Sequence, residues 1–136
     1  MSSIEQTLSI IKPDAVERNL VDNIILIFEK NNLKVKDSKK LHITKEEASE
    51  FYKVHQSKPF FNDLCSYLSS GPIVVMILEG NNAVALNRKI MGATDPKNAE
   101  EHTIRKLYGI SIDKNSVHGS DSIKNAKKEI DFFFNT

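Results

Sequence analysis

Gly71-Pro72-Ile73-Val74-Val75-Met76-Ile77-Leu78-Glu79-Gly80 is the stretch whose reading decides the fold class. Ile73 to Leu78 is an uninterrupted apolar run, rich in β-branched side chains, opened by glycine and proline and closed by glycine. A run this short, bounded by turn residues, reads as a buried central strand. It is far below the about 20 apolar residues that cross a bilayer. A central strand needs partners on both edges, and the rest of the chain supplies candidates.

Toward the N-terminus, Thr7 to Lys12 reads as a first strand, ended by Pro13, which has no amide to donate to a ladder. Asn19 is a candidate cap for a helix whose apolar positions Leu20, Ile24, Ile27 and Phe28 form a helical stripe up to Asn31 and Asn32. Leu33, Val35, Leu41 and Ile43 share one parity among lysines, as in an edge strand with one wet face, although Asp37 and Lys39 interrupt the alternation. Thr44 and Glu47 have capping-box spacing and open a helix expected to reach about Val54. A second helical stretch after Pro59, Phe60 and Phe61 places Cys65 where a core residue belongs.

Beyond the central strand a helix is expected over 82–91, then a long ordered loop over 92–101 and a short helix over 103–108. A short strand over 116–118 follows, and Asp121 is expected to cap a last helix running to about Asp131. No repeat or linker divides the chain, so residues 1–136 are expected to form one domain. Strands and helices interleave, which makes the class α/β or α+β with a mixed or antiparallel sheet.

Composition narrows function by exclusion. The 136 residues are 40% hydrophobic and 27% charged with a formal net charge of +1, so no long-range field grips a nucleic acid or an anionic membrane. A bound anion must therefore be held by local geometry. The first eleven residues lack a signal peptide's basic start and apolar stretch, and the single cysteine cannot form an internal disulfide. Both observations predict a cytoplasmic chain. Of 19 basic residues only Arg18, Arg88 and Arg105 are arginines, so each of the three invites a search for a site that needs a planar fork.

The chemistry concentrates in Asn115-Ser116-Val117-His118-Gly119-Ser120-Asp121-Ser122. This places a histidine between a short strand and a helix start, a position that holds an imidazole rigidly while leaving it open to a ligand. With an ordinary pKa near 6.5, much of that ring is a neutral nucleophile at pH 7, most effective when an acceptor fixes its other nitrogen. On the last helix Ile123, Ala126, Ile130 and Phe134 mark the buried stripe, and Glu129 sits at its margin, able to turn inward. A loop histidine and a solvated glutamate fit the same spacing.

Asn115 to Ile123 resembles in full the active-site motif of nucleoside diphosphate kinases, and the resemblance extends along the chain. Lys12-Pro13-Asp14-Ala15 resembles that family's lysine motif, and Tyr52 with Lys58-Pro59-Phe60-Phe61 its nucleotide-binding hairpin. Ser70-Gly71-Pro72 is similar to the opening of its third strand. Asn87, Arg88 and Met91 to Pro96, followed by Thr103-Ile104-Arg105, resemble its phosphate-binding stretch.

The resemblance implies a ferredoxin-like βαββαβ sandwich, a four-stranded antiparallel sheet covered by helices. It implies γ-phosphate transfer from a nucleoside triphosphate to a diphosphate by a ping-pong route through phosphorylated His118. Glu129 would orient that ring, with Ser120 in the same network, and Lys12, supported by Tyr52, would reach the transferring phosphate and the sugar hydroxyl. His55, Arg88, Thr94 and Arg105 would hold phosphates, Asn115 the sugar, and Phe60, Leu64 and Ile112 the base. Magnesium would ride on the phosphates, since no cluster has zinc-ligand spacing. A base held by stacking is weakly discriminated, which predicts broad nucleotide specificity. A nucleotide- or RNA-binding module of the same fold is disfavoured by the missing aromatic sheet motif and basic stripe.

The chain departs from that pattern at Glu101 and His102, where a proline and a glycine are usual, and at Lys106 and Leu107, where a glycine and an acid are usual. It ends soon after Phe132, Phe133 and Phe134, and three adjacent aromatics suggest a partner surface. A homo-oligomer of the shorter bacterial type, tetramer or hexamer, is the expectation.

Overall fold

The computed structural model describes residues 4–112 and 114–134; the two ends of the expected 1–136 domain lie outside the described residues. The chain runs through β1 (Ile4–Ile11), α1 (Pro13–Glu17), α2 (Val21–Lys30), β2 (Lys34–Leu41), α3 (Lys45–Phe51), α4 (Phe61–Leu68), β3 (Ile73–Asn81), α5 (Ala83–Met91), α6 (Ile104–Tyr108), β4 (Val117–Gly119) and α7 (Ile123–Phe134). Single 3-10 turns occupy Lys53–His55 and Pro96–Asn98.

The apolar run of β3 pairs with β1 on one side, Ile4 opposite Asn81 through Ile11 opposite Val74, and with β2 on the other. β4 adds to the outer side of β1 over Ser9, Ile10 and Ile11. All three pairings are antiparallel and the order is β2-β3-β1-β4, the ferredoxin-like βαββαβ sandwich. β3 is central and β2 is an edge, as expected.

Alternation along the central strands sends side chains to two layers. On one face Ile11, Val74, Met76, Leu78 and Val117 pack against Ile24 and Phe28 of α2 and Ala83, Ile90 and Met91 of α5. Phe28 is fully buried, which contributes about 1.5–3 kcal/mol by transfer alone. On the other face Leu8, Ile10, Ile73 and Val75 meet Ala48 of α3, Cys65 and Leu68 of α4 and Phe133 of α7. Cys65 is a fully buried core residue.

The edge strand departs from the simple parity expectation. A register shift between Val35 and Asp37 inserts an extra residue, so Val35 lies opposite Leu78 and packs on the α2/α5 face, while Leu41 lies opposite Ile73 and packs on the other. The bulge thus splits four residues of one parity between two cores. Lys39 then shares the second face, where its Nζ donates to the Phe133 carbonyl at 3.0 Å and sits 4.9 Å from the Phe134 ring centre.

Local signals held where both halves of a motif were present. Thr44 Oγ1 accepts from the Glu47 amide at 3.1 Å and Glu47 Oε1 accepts from the Thr44 amide at 2.9 Å, a complete capping box. That helix stops at Phe51 rather than near Val54, because the chain tightens into the 3-10 turn. Pro13 does end a strand, but it also opens the unanticipated five-residue α1, since its fixed φ suits a first helical position. Asn19 is therefore not a cap; it turns the chain between α1 and α2 at a φ of 59°. Asp121 is not the cap of α7 either: Ser122 Oγ accepts the Asn125 amide at 3.1 Å, and Asp121 instead accepts from the Asn125 side chain at 2.6 Å.

The three terminal aromatics largely find partners within the chain, which removes them as an argument for an oligomer. Phe133 is buried, Phe132 packs edge-on against it at 4.9 Å, and Phe134 lies under Lys39.

His102 stands at a φ of 73°, in the left-handed region that a glycine would reach freely, and it is exposed. His102→Ile should lower folding stability by about 1–2 kcal/mol, since β-branched residues are poorly tolerated there. His102→Gly should stay within about 0.5 kcal/mol of the parent, because relief of strain is offset by a looser unfolded chain. Urea midpoints of the three proteins decide; an isoleucine variant as stable as the parent would show that this turn is unconstrained.

Candidate active site

β4 holds His118 by only a three-residue ladder, but its neighbours fix it from both sides. Val117 is buried in the α2/α5 layer, so His118, opposite Ile10, faces the other way, toward α3 and α7. Gly119 lets α5 come close: a Cβ there would run into Asn87 Nδ2 and lie 2.8 Å from the Met91 methyl, so those side chains of α5 would have to move. Phe51 and Tyr52 stand edge-on to the imidazole, with ring centres 5.3 and 6.4 Å away.

His118 Nε2 lies 3.0 Å from Glu129 Oε1, and Ser120 Oγ donates to the same oxygen at 2.9 Å. Ser120 is itself fixed, for its Oγ accepts the Leu8 amide at 3.3 Å and its amide donates to the Leu8 carbonyl. A carboxylate only accepts, so Nε2 carries the proton and a neutral ring keeps its lone pair on Nδ1. Glu129 therefore selects the tautomer. Tyr52 is buried beside this pair, and burial first, then the charge of Glu129, pushes its phenol well above the ordinary range, so it stays a neutral hydroxyl.

The cations come from three other segments. Lys12, at the start of α1, donates from Nζ to Asn115 Oδ1 at 2.8 Å, and Asn115 Nδ2 donates to the Thr94 carbonyl at 3.1 Å. Arg105, on α6, donates from Nη1 to the Gly92 carbonyl at 3.0 Å and from Nη2 to the Val117 carbonyl at 2.9 Å. Burial, then the neighbouring Arg88, pushes its pKa down to about 10, which still leaves it charged at neutral pH. Arg88, on α5, is exposed, and its guanidinium makes no hydrogen bond among the described residues.

These groups line one cleft of about 660 Å³. Lys12, Tyr52, His55, Phe60, Leu64, Arg88, Thr94, Arg105, Ile112, Asn115, His118 and Glu129 all border it. Ser120 does not; it lies behind the pair it supports. Phe60 and Ile112 are 45% and 55% exposed, so their apolar surface is open to a flat ligand. Among the described residues no three histidine, cysteine or acidic side chains gather as a metal cluster, and no helix is long and apolar enough to cross a membrane.

Sequence reasoning missed other cleft residues. Asn125, Lys128 and Phe132 border it beside Glu129 and share its face of α7, a three- and four-residue spacing that was readable. Met91, quoted within the phosphate-binding stretch, lines it three residues after Arg88 on α5, and Phe51 also lines it but gave no such signal.

A protein-family model described as nucleoside diphosphate kinase matches residues 5–136. The chain belongs to the nucleoside diphosphate kinase family. It is 58% identical over 131 residues to the nucleoside diphosphate kinase of Nitratiruptor sp., covering 96% of each chain, and 58% identical over 133 residues to that of Helicobacter hepaticus, covering 98% of this chain and 97% of the relative. Its fold is similar to that of the Aquifex aeolicus nucleoside diphosphate kinase, with a TM-score of 0.96, 40% identity and coverage of 98% and 96%. Membership in a nucleoside diphosphate kinase family makes the chain a phosphotransferase between nucleoside tri- and diphosphates, the activity expected from the motifs.

His55, half-buried in this cleft, has its pKa lowered by burial first and by Lys58 second. The unfolded chain therefore binds a proton more readily, so His55's contribution to stability is full above about pH 6.5 and is lost as pH falls toward the lower folded value. Urea midpoints measured from pH 7.5 to 5 should fall more steeply for the parent than for His55→Gln; parallel curves would show an unperturbed imidazole.

Proposed function

We propose that this cleft moves a terminal phosphoryl group through His118 Nδ1. The observation that carries the reading is the 3.0 Å contact of His118 Nε2 with Glu129 Oε1, which leaves the opposite nitrogen as the nucleophile. In the first half-reaction the Nδ1 lone pair forms a bond to the γ-phosphorus while the bond to the bridging oxygen breaks, and the diphosphate leaves as an anion. The ring gains positive charge, shared onto Nε2–H, where the Glu129 carboxylate faces it. A second nucleoside diphosphate then attacks the same phosphorus and restores the neutral imidazole.

Position supports the remaining roles. Lys12, Arg88 and Arg105 border one cleft and supply the positive charge that phosphoryl transfer needs, with Thr94 and His55 as further phosphate contacts. Asn115, already bonded to Lys12, would take the sugar, and Tyr52, which lines the same cleft, would support Lys12 in reaching the transferring phosphate and the sugar hydroxyl. Phe60, Leu64 and Ile112 offer apolar surface to the base, which supports broad specificity. Magnesium carried on the polyphosphate would neutralise part of its charge. The residues fit that arrangement, because Asp121 lines the cleft and among the described residues has no ion pair.

The reading extends to a chain that acts in the cytoplasm as one domain and a homo-oligomer, tetramer or hexamer. Leu107 and Ile110 support a partner surface, since both stay more than half exposed.

Incubation with terminally labelled ATP should leave acid-labile, alkali-stable label on the chain, discharged by a nucleoside diphosphate; a binding module would take up none. His118→Ala should keep nucleotide binding and lose turnover by several orders of magnitude, and substantial residual transfer would place the nucleophile elsewhere. Glu129→Gln should slow turnover by about 10–100-fold.

A further inference from the structure

Among the described residues Asp14, 6% exposed, is the one buried charged side chain that does not line this cleft. Its carboxylate gathers donors from three directions: the Tyr67 hydroxyl of α4, Ser116 Oγ at 2.9 Å and Arg18 Nη2 at 3.2 Å. Tyr67 is also bound in return, accepting the Asp14 amide at 2.9 Å.

Ser116 is the residue that leads into β4, two before His118, and its φ is 72°. A serine holds that left-handed conformation only where its surroundings over-determine it. Here they do so twice: the side chain is pinned by Asp14, and the Ser116 carbonyl accepts the Lys12 amide at 2.8 Å. Arg18 closes the knot from outside, donating to the Tyr108 carbonyl at 2.6 Å and to Ser116 Oγ at 3.4 Å. Lys12 and His118 therefore leave the same knot in opposite chain directions, and the conformation of Ser116 sets where both begin.

We infer that Asp14, acting through Ser116, is a positioning residue for phosphoryl transfer: it fixes the placement of His118 relative to Lys12 without touching the substrate. The inference rests on His118 as phosphate acceptor. A carboxylate is needed because its two oxygens accept from hydroxyl, hydroxyl and guanidinium together. An amide in its place turns a donor toward one of them. A tilt of the strand by a fraction of an ångström displaces Nδ1 from the line of attack, to which transfer rates are sensitive, while Arg88 and the base contacts Phe60, Leu64 and Ile112, carried on other segments, stay in place.

The test measures two quantities on the full chain: single-turnover labelling of His118 by ATP and equilibrium affinity for ADP. Ser116→Ala should slow labelling about tenfold and Asp14→Asn about a hundredfold, with ADP affinity within about threefold of the parent. The double variant should be about as slow as Asp14→Asn alone, since the two act as a unit. Ser116→Gly, which reaches the left-handed region without strain but lacks the hydroxyl, should be as slow as Ser116→Ala. Parent rates in either serine variant, or affinity falling in step with rate, would overturn the inference. If Asp14→Asn does not fold, the serine variants decide alone. Failure of the underlying reading looks different, because the parent chain itself would then carry no label.

Discussion

The site depends on one hydrogen bond between elements that are neighbours only in the folded state, Glu129 of α7 and His118 of β4. Such a bond to a charged group contributes about 1.5–3 kcal/mol, too little to hold a twelve-residue helix against the sheet. The helix is held by burial instead: Ala126 and Phe133 enter the core, with Ile130 and Phe134 packed at its margin. The bond is thus aimed by packing rather than creating it. The same holds across the ring, where Gly119 lets α5 approach β4 closely enough that Val117 is buried and the imidazole is left on the far face.

Much of this was legible because it is local. The apolar run of β3, the Thr44–Glu47 box and the stripe of α2 are each complete within a few residues, and each formed as read. The bulge after Val35 was not legible, since parity carries no mark of an inserted residue, and the interruption of the alternation at Asp37 and Lys39 was its only trace. Asp121 and Ser122 are both competent caps, and the choice between them is made by Asn125, whose amide and side chain take one each. The cleft residues were legible by their resemblance to a motif. Their convergence was not, for they come from segments far apart in the chain and only the sheet order brings β1 and β4 together.

The departures from the family pattern concentrate where backbone geometry does the holding. His102 takes the left-handed conformation that glycine usually supplies, and histidine is one of the few side chains that tolerates it. Lys106 and Leu107 both lie exposed, so the exchange alters surface rather than packing. What secures the loop is Gly92, at a φ of 87° with Thr103 Oγ1 2.5 Å from where a Cβ would be, and the Arg105 fork across the carbonyls of Gly92 and Val117. Those anchors are intact.

The three arginines of this lysine-rich chain divide along the same line. Arg18 reaches a carboxylate, two carbonyls and a hydroxyl, a set that only a planar fork can span. Arg105 commits two donors to backbone carbonyls, yet its Nε is buried with no partner among the described residues, and its guanidinium stands near that of Arg88. Two like charges and an unmet donor in one partly buried place are unfavourable in the empty cleft. On the proposed reading, the negative charge of a bound phosphate would offset the repulsion between the two guanidinium groups. The clasp that shapes the loop and the charge that would grip a phosphate are the same side chain, so on the proposed reading a change at Arg105 alters loop and cleft together.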